Sequence, residues 1–172
     1  MEPIDPGTVP APPGWISRLV EVLQPVSVRA DRLGSLAVFA GLEWPELEFA
    51  ARWLSETLIE RGTRMTVQGR PSSRLWLISE GEALVSADAR PLRVARRGDT
   101  VGAAAVLYDV DSPETTIALT AIRAFEAGRA ELEQLMGRRS IGLRLAASAG
   151  ENLRISRPAA RASSRQRVNP RT

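Results

Sequence analysis

The stretch in which residue types and spacing could do chemistry runs from Gly98 to Ile117. It opens Gly98-Asp99-Thr100-Val101-Gly102-Ala103-Ala104-Ala105, a glycine-punctuated run of very small residues. Such a run lets the backbone approach a ligand closely, and it can aim successive N–H groups at an anion. Gly102, Ala103 and Ala104 are therefore a candidate cradle. An acidic loop follows, with Asp109, Asp111 and Glu114 closed around Pro113. Three carboxylates on one loop could clamp a cation or an amine. The spacing is not that of a calcium-binding helix–loop–helix motif, so a solvated loop is the better reading. The lone tyrosine, Tyr108, reads as packing rather than as a ligand contact. Thr115, Thr116 and Ile117 are beta-branched and begin a strand.

Three absences narrow the chemistry further. The 172 residues include no His, no Cys and no Lys, and all 23 basic residues are Arg. The usual general bases and activated nucleophiles are missing. So are the nitrogen and sulfur ligands of zinc and iron sites and the lysine of a phosphate-binding loop. Carboxylates remain, but the composition argues against an enzyme, and it implies neither a cofactor nor a metal. The lack of cysteine and of any long apolar run fits a cytoplasmic protein without a membrane span.

Charge is unevenly placed. Residues 1–60 hold nine acids and four Arg, residues 61–150 ten acids and thirteen Arg, and residues 151–172 one acid and six Arg. The net charge of +3 is therefore largely a property of the last segment.

The elements that must position the cradle follow from periodicity. Residues 1–14 hold five prolines and read as a disordered leader. Residues 15–35 form an N-terminal helical segment, with Ile16, Leu19, Val20 and Leu23 on one stripe, Trp15 as an anchor and Pro25 as a stop. A further short helical piece lies between Asp31 and Ala40. Leu47, Ala50, Ala51, Leu54 and Leu58 predict a helix to about Ile59, with Trp53 near its core stripe. From Arg61 the period shortens. Strands are expected at Thr63–Val67, Leu75–Ile78, Ala83–Val85, Leu92–Arg96, Thr115–Thr120 and Ala121–Glu126, separated by turns. This is the pattern of an all-β sandwich or barrel. Beyond Gly128 the helical period returns. Leu132, Leu135 and Met136 share one face, and Ile141, Leu145 and Ala149 repeat every fourth residue towards Leu153. Residues 154–172 form an Arg-rich tail predicted to be disordered.

A helix, a compact antiparallel roll, a small-residue cradle and two closing helices, in that order, resemble the cyclic-nucleotide-binding domain family over residues 36–153. Phe39-Ala40-Gly41-Leu42 followed by Pro45-Glu46-Leu47 is similar to that family's opening pattern. Gln68-Gly69 and Arg74 to Ala83 resemble its hairpin, with Trp76 near the family's aromatic. Gly98-Asp99-Thr100-Val101-Gly102 resembles its step into the phosphate-binding cassette. The resemblance implies a mainly β fold with flanking helices: an antiparallel β-roll or jelly roll (a double-stranded β-helix). It also implies a cassette-equivalent ligand set of Gly102, Ala103, Ala104, Glu114 and Thr115.

Two departures within that set bear on function. In the family a glutamate after the cassette glycine holds the ribose, and here that position is Ala103. In the family an arginine just after the cassette loop pairs with the cyclic phosphate, and here Glu114 stands in its place. Losing one charge-assisted contact of that kind costs about 1.5–3 kcal/mol before any repulsion is added. The expectation is a regulatory or scaffold domain with a degenerate pocket, acting through protein–protein contacts. A sensor for a cyclic nucleotide or another small molecule, with an altered pocket, is the alternative. In the family the last long helix commonly dimerises, so Ile141, Leu145 and Ala149 are candidates for a homodimer interface, against the plainer reading that they only cover the roll. The 19 residues after Leu153 are too few for a helix-turn-helix domain. The six Arg of the tail could meet nucleic acid or anionic lipid.

Overall fold

The structure, a computed structural model, describes residues 25–156, with side chains described to residue 151. Helix α1 (Val26–Gly34) leads through a single 3-10 turn (Ala37–Phe39) to α2 (Trp44–Trp53). Pro45 fits the first turn of α2, where its missing N–H is not needed, and the Glu43 N–H donates to Glu46 Oε2 at 3.2 Å. Strands β1 (Ser55–Ile59), β2 (Arg64–Thr66), β3 (Arg74–Glu80), β4 (Ala83–Ala87), β5 (Arg90–Ala95) and β6 (Thr100–Val101) follow. Helix α3 (Ala103–Tyr108) interrupts them before β7 (Thr115–Ala118) and β8 (Ile122–Gly128). Helices α4 (Arg129–Met136) and α5 (Arg139–Ser156) close the described chain.

The strands form two antiparallel four-stranded sheets, ordered β1-β8-β3-β6 and β2-β7-β4-β5. The inner strands β3 and β8 of the first sheet carry buried residues on both faces. Directly paired residues share a face, so Leu77 with Phe125 and Leu75 with Ala127 point at the helices. Ile78 with Ala124 and Ile59 with Ile122 point into the roll. The helix-side core gathers Leu33, Leu36, Phe39, Leu54, Leu135, Ile141 and Leu145, and the roll-side core gathers Met65, Val85, Ala95 and Val101. Glu56 pairs with Phe125 and therefore faces the helices. Its side chain is 1% exposed. It is held there by Arg32 Nη1, which donates to both carboxylate oxygens at 2.9 and 3.1 Å. This contact fastens α1 to the sheet.

The mainly β architecture with flanking helices is the one expected, and several local expectations need correction. The predicted stripe Ile16–Leu23 with Trp15, the leader at residues 1–14 and the tail from residue 157 lie outside the described residues. Pro25, expected to stop that stripe, is the N-cap of the following helix α1, while the stop itself falls outside the described residues. The helix expected to reach Ile59 ends at Trp53, because Leu54 adopts an extended conformation (φ −106°, ψ 118°). Ser55–Ile59 then pairs with β8, so Leu58 serves a strand rather than a helix. Trp53 is 36% exposed and Tyr108 51% exposed, so neither is a core residue. Met136 is also largely exposed, unlike Leu132 and Leu135.

Ile141, Leu145 and Ala149 are all buried within the chain's own helix-side core. They cover the roll, as the plainer reading held, and cannot also present an interface. The side of α5 left to a neighbour carries Leu143, which is 61% exposed, and Ala147.

Candidate functional site

The turn Arg96–Asp99 delivers the chain into β6. Asp99 Oδ2 accepts from the Arg96 N–H at 2.8 Å, and Gly98 N donates to Ile78 O at 2.8 Å. Thr100 lies opposite Leu77, on the helix-facing side, and its hydroxyl meets that of Ser148 on α5 at 2.8 Å. The strand that enters the cradle is thereby tied to the last helix.

Gly102 then turns the chain in the left-handed region, φ +75°. A Cβ placed there would lie 2.5 Å from Arg74 O and 3.5 Å from Thr66 Cγ2. The position needs glycine for its backbone angle and for the close approach. The run Ala103-Ala104-Ala105-Val106 is buried as the first turn of α3. The sequence reading treated this segment as an irregular cradle, whereas it is a short helix. Alanine is the strongest helix former, and its small side chain lets α3 lie close beneath the roll.

The loop after α3 is pinned at several points. Asp109, at φ +53°, ends the helix and is paired with Arg129 of α4. That guanidinium, by hydrogen bond and charge, holds the Asp109 carboxyl below its ordinary value. Ser112 N donates to Arg70 O at 2.8 Å, and Gly69 N donates to Ser112 O at 2.9 Å. The Glu114 carbonyl accepts from Ser112 Oγ at 2.7 Å and from Thr66 Oγ1 at 3.0 Å. Among the described residues no cluster of three or more potential ligands could hold a metal ion.

Helix α3 and this loop enclose a cavity of about 10 Å³. Gly102, Ala103, Ala104 and Ala105 form one wall, and Ser112, Pro113 and Glu114 form the other. That volume is about what one water molecule requires. Glu114 is only 5% exposed, an unusual state for an ionisable residue. The structure therefore brings together four of the five candidate ligand residues: Gly102, Ala103, Ala104 and Glu114. The fifth, Thr115, does not line the cavity. Its hydroxyl accepts from the Gln68 N–H at 2.9 Å, beside the β2–β3 turn.

Other residues reach this part of the roll unannounced by the sequence. Arg93 of β5 and Thr116 of β7 both lie opposite Val85, on the inward face of the second sheet. Thr116 is fully buried, and Arg93 Nη1 lies 3.4 Å from Asp99 Oδ2. The alternation Leu92-Arg93-Val94-Ala95 marks Arg93 as one of two faces but leaves open which is inward. Only the pairing with Val85 decides it. Ser112 carried no sequence signal at all, since a serine before a proline reads simply as loop.

In fold, the chain is similar to cAMP-bound PfPKA-R, with a TM-score of 0.66 at 17% identity over 76% of this chain and 45% of that one. It is similar to a cAMP-binding acyltransferase from Mycobacterium smegmatis, with a TM-score of 0.58 at 26% identity over 75% of this chain and 42% of that one. The Thermus thermophilus catabolite activator protein matches with a TM-score of 0.60 at 20% identity, over 68% and 58% of the two chains. This chain thus spans between 42% and 58% of the length of these three. No curated protein matches it by sequence. Among the described residues no helix is long and apolar enough to cross a membrane. The model of the family described as the cyclic nucleotide-binding domain matches residues 56–139, from the first strand of the roll into the start of α5. The fold and this match agree: residues 56–139 form a cyclic nucleotide-binding-like domain.

Proposed function

We propose that the chain is a non-enzymatic regulatory or scaffold domain of this family, one that does not take cyclic AMP or cyclic GMP by the family's usual chemistry and acts through protein–protein contacts. The observation that carries the reading is the cavity between α3 and the β7 approach. It offers about 10 Å³ where a nucleotide would need hundreds. Its wall holds the buried Glu114 where the resemblance places a phosphate-pairing arginine, and Ala103 where it places a ribose-binding glutamate. A phosphodiester brought to that wall would meet like charge in a poorly solvated site, which is strongly unfavourable. The absence of His, Cys and Lys supports a non-enzymatic role. The similarity to one module of a cAMP-binding acyltransferase fits a domain that governs something attached to it or docked on it. The surface available for such contacts includes Leu143 and Ala147 of α5 together with the exposed Met136.

Isothermal titration calorimetry with cyclic AMP and with cyclic GMP tests the reading. No heat of binding is expected for either nucleotide. Clear micromolar binding of either one refutes it and favours a sensor with an altered pocket.

A further inference from the structure

Away from the cassette, α5 borders a cleft of about 340 Å³ with Arg144, Ala147, Ser148 and Glu151. Ala37 and Val38 of the 3-10 turn and Asp99 of the Arg96–Asp99 turn form its other side. The four α5 residues fall at i, i+3, i+4 and i+7, so they share one side of the helix. The charges in this cleft are not used up by the fold. The half-buried Arg144 makes no hydrogen bond or ion pair among the described residues, and it acts on Glu46 only through space. Asp99 Oδ2 accepts from the Arg96 N–H and from Arg93 Nη1, while its side chain stays 43% exposed and Oδ1 accepts nothing. Glu151 is exposed and has no ion-pair partner among the described residues. A guanidinium offers paired donors to a carboxylate, and two carboxylates offer acceptors to ammonium groups. Ala37, Val38 and Ala147 supply apolar surface between them.

We propose that this cleft binds a free basic amino acid, with its α-carboxylate on Arg144, its cationic groups on Asp99 and Glu151, and its aliphatic stem along Ala37, Val38 and Ala147. The size agrees, since small-molecule sites begin at about 300 Å³. Arg144 and Glu151 stand two turns apart, about 10 Å along the helix axis. An extended lysine or arginine spans that distance once the two flexible side chains reach inward. The charge agrees as well: one guanidinium against two carboxylates favours a guest of net positive charge. The site is separate from the cassette and does not depend on whether the cassette takes a nucleotide. Its effect on the domain runs through Ser148, which lines the cleft and meets the Thr100 hydroxyl in the strand leading to Gly102. A guest that joins α5 to the 3-10 turn and to Asp99 tightens that same junction.

Calorimetric titration of the full chain with L-lysine and with L-arginine tests the proposal. Two analogues accompany them. L-Norleucine keeps the α-carboxylate and the stem without the terminal ammonium, and 1,5-diaminopentane keeps two ammonium groups without the carboxylate. At least one basic amino acid should bind with a Kd below about 1 mM, and both analogues should bind at least roughly tenfold more weakly. Arg144→Gln should weaken the basic amino acid at least about tenfold and leave 1,5-diaminopentane unaffected. Glu151→Gln should weaken both. Absence of heat from either basic amino acid up to about 10 mM overturns the proposal. So does norleucine binding as tightly as lysine, or undiminished binding by Arg144→Gln. The comparison of ligands on the unaltered chain decides the matter even where a variant folds poorly. Binding of a cyclic nucleotide would instead refute the proposed function, so the two failures are separable.

Discussion

Gly102→Ala isolates the close approach on which the cassette is built. Two costs are expected, and they can be measured apart. The first is conformational: alanine at φ +75° occupies the left-handed region, at about 1–2 kcal/mol. The second is steric. The new Cβ would stand 2.5 Å from Arg74 O, a backbone atom that cannot swing aside, with Ser72 Oγ next at 3.4 Å. Overpacking of this kind adds about 1–3 kcal/mol. Gly62 supplies the control. It sits at φ +85° with nothing within 4 Å of a built Cβ, so Gly62→Ala carries the first cost alone. Urea unfolding followed by tryptophan fluorescence should place Gly102→Ala about 2–4 kcal/mol below wild type. Gly62→Ala should fall about 1 kcal/mol below it, and both should keep a similar m-value. Equal losses in the two variants would show that α3 and β3 are not in the contact described, and the geometry assigned to the cassette would be wrong.

Other substitutions probe the remaining supports. Leu145→Ala should cost about 2–5 kcal/mol in denaturant melts, whereas Leu143→Ala on the outward side should change stability by less than about 0.5 kcal/mol. A reversed order would restore Leu145 as an interface residue. Arg32→Ala leaves the buried Glu56 carboxylate without its guanidinium and should lower stability by roughly 2 kcal/mol or more, with α1 losing hydrogen-exchange protection first. A double-mutant cycle on Thr100→Val and Ser148→Ala should return a coupling of about 1 kcal/mol, and additive effects would dissolve the link between cradle and last helix. Glu46 is held below its ordinary carboxyl value of 4.5 chiefly by the Ser140 hydroxyl and also by the Glu43 N–H. A depressed folded-state value means stability present above pH 4.5 that is lost as acid titrates the folded carboxylate. Glu46→Gln should therefore flatten part of the acid limb of a stability–pH curve measured by thermal melting.

How much of this was legible beforehand depended on the kind of signal each residue sends. Alternation and turn residues located the roll, because period and turn chemistry are local properties. Gln68-Gly69, Gly81 and the Asp88-Ala89 turn, whose two residues take φ +50° and +58°, mark strand ends wherever they occur. The cassette was recognisable from its glycines and alanines, but its helical state was not. Four small residues in a row fit either a loop or a helix, and only burial beneath β3 selects the helix. The fate of Ser55–Ile59 was hidden for a similar reason, since Leu54 and Leu58 continue a helical stripe that the pairing with β8 overrides. The inward direction of Arg93 and the placement of Ser112 depend on contacts across the sheet and the loop, for which a single chain carries no mark. Ile141, Leu145 and Ala149 show the limit most clearly. An apolar stripe on a helix states that something covers it, and it does not state whether the cover is the same molecule or another.

The sheet β1-β8-β3-β6 has one further consequence. It is a partition between two oily compartments, and it belongs fully to both. Damage to Phe125 on one side must reach Ile78 and Ala124 on the other through the same few backbone links. Global unfolding of the shared strands should take both compartments together, even where a single terminal helix such as α1 opens locally. A scanning calorimeter should therefore record one peak, and any partner that grips the helical side should steady the barrel as well, without ever touching it.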